Sequence, residues 1–178
     1  MGFTILLLTG CSEDNMKEKV RALAQSSELS TVEYSITKVV KANDESSYTI
    51  GDRKILFSCK AIVKAGIDLS KLTDDDIKLN QEKKEAIITL PVPQVLSFNM
   101  PLEDAKLVYE KVGALRFDFT AEERNKLLIQ GEENIRTDLQ RLGILKDAAE
   151  NTKMFFTTLL QQFGYKEVEI IYKEKEEA

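Results

Sequence analysis

The stretch Arg53 to Ile67, RKILFSCKAIVKAGI, constrains this chain more than any other. Ile55, Phe57, Cys59, Ala61, Val63, Ala65 and Ile67 occupy every second position, so in an extended chain they share one face. Lys54, Ser58, Lys60 and Lys64 fall on the other face, with Leu56 and Ile62 among them. Alternation sustained this long predicts a strand with one buried face and one mostly wet face, the pattern of an antiparallel sheet. Cys59 then lies on the apolar side, where a free thiol behaves as a small buried hydrophobe.

The flanking segments supply the rest of a sheet and two helices. Leu29 to Lys41 alternates with Val32, Tyr34, Ile36 and Val40 on one side, which predicts a first strand. Asn43 to Ser47 and Gly51-Asp52 are turns by composition, with a short strand expected at Tyr48 to Ile50 between them. Ile77–Leu79 and Glu85–Leu90 read as a strand pair, ended by Pro91 and Pro93, because proline cannot donate to a ladder. Val95 to Phe98 resumes as an edge strand, and Ala105 to Val112 reads as another. Gly113 and Asp118 frame a loop with Leu115, Phe117 and Phe119. From Thr120 the period changes. Thr120-Ala-Glu-Glu123 is a capping box. Leu127, Leu128, Ile135, Leu139 and Leu142 continue one side of a first long helix. After Gly143, a second runs from Leu145 to Phe163 and stops at Gly164. Val168 and Ile170 form a closing strand. A further helix is expected over Glu13 to Gln25.

The fold class that follows is α+β, an antiparallel sheet packed by two C-terminal helices plus an N-terminal helix. At 178 residues a single domain is expected. We place it at residues 29–173, after residues 1–10 as a signal-peptide remnant and residues 11–28 as lipid-attachment Cys, tether and helix. Residues 174–178 are a charged tail.

The N-terminal segment MGFTILLLTG carries no charge, and its apolar run is too short to span a bilayer. Leu8-Thr9-Gly10-Cys11 resembles a bacterial lipobox, in which the leader is cut before Cys and the thiol takes up lipid. It departs from the leader pattern in having no Lys or Arg ahead of the apolar run. The expectation is a bacterial cell-envelope protein, lipid-anchored at Cys11, facing the periplasm or the surface.

Composition removes several chemistries. There is no His, so neither a Ser-His nor a Cys-His catalytic pair exists within this sequence. A net charge of −5 argues against nucleic acid as a partner, since phosphate binding wants a basic face. Asp74-Asp75-Asp76 lacks the spacing of a calcium loop and reads as a helical turn capped by Thr73. Glu122-Glu123 and Glu132-Glu133 read as capping and solvated helix faces. We therefore predict no catalytic residue, no metal ligand and no cofactor. Lys54, Lys60 and Lys64 recur along the wet face of the long strand. They form a candidate basic strip for anionic lipid or polysaccharide, and Leu56 and Ile62 beside them suggest partial cover by a helix or a partner.

Three stretches carry a family resemblance: KILFSCKAIVKAGIDLSKLTDDDIKL, ITLPVPQVLS and FTAEERNKLL. Over roughly residues 29 to 172 the chain resembles an uncharacterised bacterial lipoprotein family, domain of unknown function 4230. The resemblance implies an envelope protein, often lipid-anchored, and no activity. A fainter likeness, in element order only, is to the stomatin-prohibitin scaffold domain, which also closes on a strand such as GYKEVEII. The functional expectation is a non-catalytic binding or assembly module with an envelope protein or polysaccharide as partner. The alternatives are a membrane-associated oligomeric scaffold and, behind it, a carboxylate-dependent hydrolase.

Overall fold

A computed structural model describes Glu18, Val20, Ala22, residues 27–44 and residues 51–174. The elements run β1 (Glu28–Asp44), β2 (Arg53–Asp68), β3 (Ile77–Asn80), β4 (Glu85–Leu90), β5 (Gln94–Asn99), β6 (Lys106–Val112), α1 (Ala121–Leu142), α2 (Ile144–Gln162) and β7 (Glu167–Tyr172). The class is α+β. The short strand expected at Tyr48–Ile50 and Cys11 lie outside the described residues, as does nearly all of the expected N-terminal helix.

The chain forms two compact units. Ser30–Gly66 and Gln94–Ala148 make one, which holds the candidate site. Its sheet has the order β1-β2-β5, with β6 also paired to β2. The long strand β2 serves two partners in succession. Arg53 to Ser58 pairs antiparallel with β6, and Ile62 to Gly66 pairs antiparallel with β5. The alternation read from sequence is the alternation of burial. Ile55, Phe57, Cys59, Ala61, Val63 and Ala65 are buried, packed with Val40, Phe119 and the α1 residues Leu127, Ile135 and Leu139. Cys59 is a free buried cysteine, and burial pushes its thiol pKa up.

Helix α1 begins as the capping box specifies. Thr120 Oγ1 accepts the Glu123 N–H at 3.2 Å, and Glu123 Oε2 accepts the Thr120 N–H at 2.8 Å. One residue inside the helix was not anticipated. Gly131 is buried over the sheet, and a Cβ there would meet Val40 Cγ1 at 3.1 Å and Cys59 Sγ at 3.3 Å. A glycine in mid-helix costs about 1 kcal/mol relative to alanine; here it lets the helix backbone approach the strands. Polar contacts fix the helices along the sheet. Lys38 Nζ donates to Asp138 at 2.5 Å, and the Tyr34 hydroxyl donates to Asp147 at 2.5 Å.

The other unit includes Ile67–Pro93 and the chain from Ala149 onward. Its sheet has the order β3-β4-β7. β3 and β4 pair antiparallel, as expected, but β7 pairs parallel to β4. The expected single antiparallel sheet is therefore corrected to two sheets, one of them mixed. Ile67, Leu69, Ile77, Ile88, Leu90, Phe156, Leu160 and Ile170 build this core. Asp74–Asp76 is a 3-10 turn, as expected. Its last carboxylate is held through one oxygen: Asp76 Oδ2 accepts from the Thr73 N–H and hydroxyl, each at 2.8 Å, and from Lys173 Nζ at 2.8 Å. Burial works against this charge, yet the hydrogen bonds hold the Asp76 pKa below its ordinary value. Among the described residues no helix is long and apolar enough to cross a membrane.

Candidate functional site

Because the β2 side chains alternate, the residues between the core positions all point away from α1. Lys54, Lys60 and Lys64 lie on that open face, with Leu56, Ser58 and Ile62 between them, and Lys60, Ile62 and Lys64 are exposed. Pairing adds two lysines that the linear pattern of β2 does not contain. Lys111 sits directly opposite Lys54, and Lys106 opposite Ser58. On the outer side of β1, by alternation with buried Val40, come exposed Val39 and Lys41.

Acids are few on this face. Glu33 reaches Lys64 at 3.4 Å, with both side chains about half exposed, so the pair contributes little. Lys54, Lys60, Lys106 and Lys111 have no ion pair with a described residue. A hollow of about 510 Å³ is lined by Thr37, Ser58, Lys60 and Lys106 and also by Glu103 and Asp104. A concentration of lysines on one sheet of a chain with net charge −5 is a local inversion of sign. Such a field attracts anions and loses strength with added salt.

A second constellation sits where β2 begins and β6 ends. Gly113 would place a Cβ 2.9 Å from Gly51 Cα, so only paired glycines allow these backbones to approach, and the Gly113 N–H donates to Asp52 O at 3.0 Å. Arg53 points inward from β2 and is the hub. Its Nη2 donates to Asp44 Oδ2 at 2.6 Å and to Glu123 Oε1 at 2.7 Å. Its Nη1 reaches the carbonyls of Phe117 and Asp118 at 3.3 and 3.4 Å. Its guanidinium lies 4.5 Å from the Phe119 ring centroid. Arg116 completes the group, donating to Asp44 Oδ2 at 2.5 Å and to Gly51 O at 3.0 Å.

The electrostatics follow from these bonds. The hydrogen bond from Arg53, helped by the Thr120 N–H and hydroxyl, holds the Glu123 carboxyl down to about 2. Asp44 is likewise lowered, first by its hydrogen bond from Arg53 and then by the nearby charge of Arg116. Both oxygens of Glu123 are committed to Arg53 or the cap, and Asp44 Oδ2 is shared by Arg53 and Arg116. Asp44, Arg53 and Glu123 themselves line a cavity of about 270 Å³, together with Phe119, Lys126 and Leu127. With both carboxylates paired to arginines, the arrangement fixes the geometry of this corner.

What the cluster fixes is the loop 113–118. With Arg116 turned inward and the carbonyls of Phe117 and Asp118 held by Arg53, Leu115 is 72% exposed and Phe117 92% exposed. Sequence reading placed both in a loop without reaching their exposure. Linear pattern does not single out the arginine hub, Lys106 or Lys111. The available signal is the pair of arginines near two glycines, Gly51 and Gly113, which becomes meaningful only once β2 and β6 pair. Cys11 lies outside the described residues. Among those described, no group of three or more His, Cys, Asp or Glu is placed to hold a metal ion.

No curated protein and no solved structure matches this chain. Residues 21–170, which include β1 through most of β7, match the family described as "Protein of unknown function (DUF4230)", and the chain belongs to that family.

Proposed function

We propose that this protein is a lipid-anchored component of the bacterial cell envelope, held at Cys11, whose folded part is a non-catalytic binding module that offers its lysine-bearing sheet face to an anionic envelope component. The observation that carries the reading is the open outer face of the β1-β2-β5-β6 sheet. There Lys54, Lys60, Lys106 and Lys111 have no described acidic partner. Ordinary surface lysines intersperse with acids; an unbalanced set on one rigid face is a docking field. The anchor is supported by Leu8-Thr9-Gly10-Cys11, where only Cys supplies a thioether. The six-residue apolar run before it cannot hold the protein in a bilayer by itself, whereas two or more acyl chains can.

Two experiments test the two halves. The full-length gene with its native upstream sequence is expressed in a bacterial host fed labelled palmitate. Wild type should take up label and sediment with membranes, and Cys11→Ala should do neither. Label retained by Cys11→Ala removes the anchor. For the face, purified protein is titrated with a soluble polyanion such as dextran sulfate at low and high salt. Binding should weaken with salt and be lost in the Lys60→Glu/Lys106→Glu variant. Binding equal to wild type in that variant refutes the face.

A further inference from the structure

The loop tip Leu115–Phe117 has a form that the lysine face alone does not explain. Burial of large apolar side chains is the main driving force of folding, yet here two are presented to solvent by a dedicated scaffold. Arg116, between them, is turned the other way onto Asp44 and the Gly51 carbonyl. Arg53 secures the following two carbonyls. The Arg116 N–H donates to Gly113 O at 2.9 Å, closing the turn at its root. The tip cannot fold back to hide Leu115 and Phe117 without breaking these bonds.

At the same end of the β2–β6 ladder, Lys54 and Lys111 stand directly opposite each other on one face. Like charges in that position destabilise a strand pair. An anion between them would reverse the sign of that interaction. A protein partner needs roughly 800 Å² of buried surface on each side. Two side chains, at about 150–250 Å² for the aromatic one, fall well short of that. They are the right scale for the headgroup boundary of a bilayer, where an apolar tip enters and lysines meet anionic headgroups.

We infer that the Leu115–Phe117 tip with the Lys54–Lys111 pair is a membrane contact, inserting its two apolar side chains into an anionic lipid surface while the lysines bind headgroups. This rests on reading the lysine-bearing face as an anion-binding surface and names anionic lipid as what its β6 end meets. Beside a covalent anchor, such a contact would fix which side of the module faces the bilayer.

The full chain carrying Cys11→Ala, which removes any acyl group, is mixed with vesicles of phosphatidylcholine with or without phosphatidylglycerol. The sequence has no Trp, so Phe117→Trp supplies a single emitter at the tip. The expected result is co-sedimentation with the anionic vesicles only, a blue shift of that emission on binding, and loss of both at high salt. Leu115→Asp/Phe117→Asp should weaken partitioning by at least about tenfold, and Lys54→Glu/Lys111→Glu by a similar factor, each lysine contributing about fivefold. Circular dichroism on each variant confirms that it is folded. Binding to anionic vesicles that survives Leu115→Asp/Phe117→Asp overturns the inference. So does binding to dextran sulfate, sensitive to Lys60→Glu/Lys106→Glu, without any vesicle binding; the lysine face then stands and the tip does not. Binding to neither ligand refutes both readings.

Discussion

Replacing Gly131 by alanine sets two effects of known size against each other. In an exposed helix the change should stabilise by about 1 kcal/mol, because alanine restricts the unfolded chain and glycine does not. Gly131, however, faces the sheet. The new methyl would stand 3.1 Å from Val40 Cγ1, 3.3 Å from Cys59 Sγ and 3.6 Å from Val40 Cγ2. Relief requires a shift of several tenths of an ångström in one partner. Val40 is β-branched, stiff at χ1 and 4% exposed, and Cys59 is 1% exposed, so neither has room to move. Overpacking of this kind costs about 1–3 kcal/mol. The expected net effect is a loss of about 0–2 kcal/mol. The sharper test is a double-mutant cycle read by urea denaturation. In a Val40→Ala background the methyl has space, and the same Gly131→Ala change should become neutral or stabilising, giving a coupling of about 1–3 kcal/mol. If Gly131→Ala alone raises stability by the full helix-propensity amount, α1 does not press on the strands at this point and the packing described here is wrong.

Three further outcomes follow from the same structure. Phe57→Ala should lose about 3–5 kcal/mol, the range for large-to-small core changes, while Lys60→Ala on the opposite face should stay within about 0.5 kcal/mol; the reverse ranking in thermal melts would mean that the β2 faces are exchanged. Folding lowers the Glu123 pKa from 4.5 to about 2, so its contribution is complete above the unfolded value and is lost as the pH falls through the folded one. Glu123→Gln should therefore be less stable at neutral pH and show a shallower acid loss between those values, and parallel acid-titration curves for the two proteins would contradict the arginine hub. Cys59, buried and with a raised pKa, should resist alkylation in the native Cys11→Ala protein and react only on unfolding; rapid native labelling would refute its burial.

The sequence by itself determined the features of β2, α1 and α2 that depend on local periodicity. Alternation from Ile55 to Ile67 fixed which β2 residues are core, because side chains at i and i+2 share a face whatever the strand pairs with. Thr120 and Glu123 fixed the start of α1, because a capping box closes within four residues. The apolar period after Gly143 located α2. Leu8 to Cys11 carried the lipid-anchor expectation for the same reason, as a contiguous motif. Tertiary structure alone decided what depends on partners distant in the chain. That β7 lies parallel to β4, and that β2 divides its length between β6 and β5, are choices of register and neighbour that no local pattern encodes. The same holds for the site. Lys111 and Lys106 join Lys54 and Lys60 only through the β2–β6 ladder. Gly131 reads as a helix weakness until Val40 and Cys59 are beneath it. Arg53, Arg116, Asp44 and Glu123 come from four separate segments, and charges that far apart in sequence meet only when the backbone between Gly51 and Gly113 is allowed to close. Helix and strand periods are properties of one segment; a charge cluster and a presented apolar tip are properties of several segments at once, and chain folding is what brings them together.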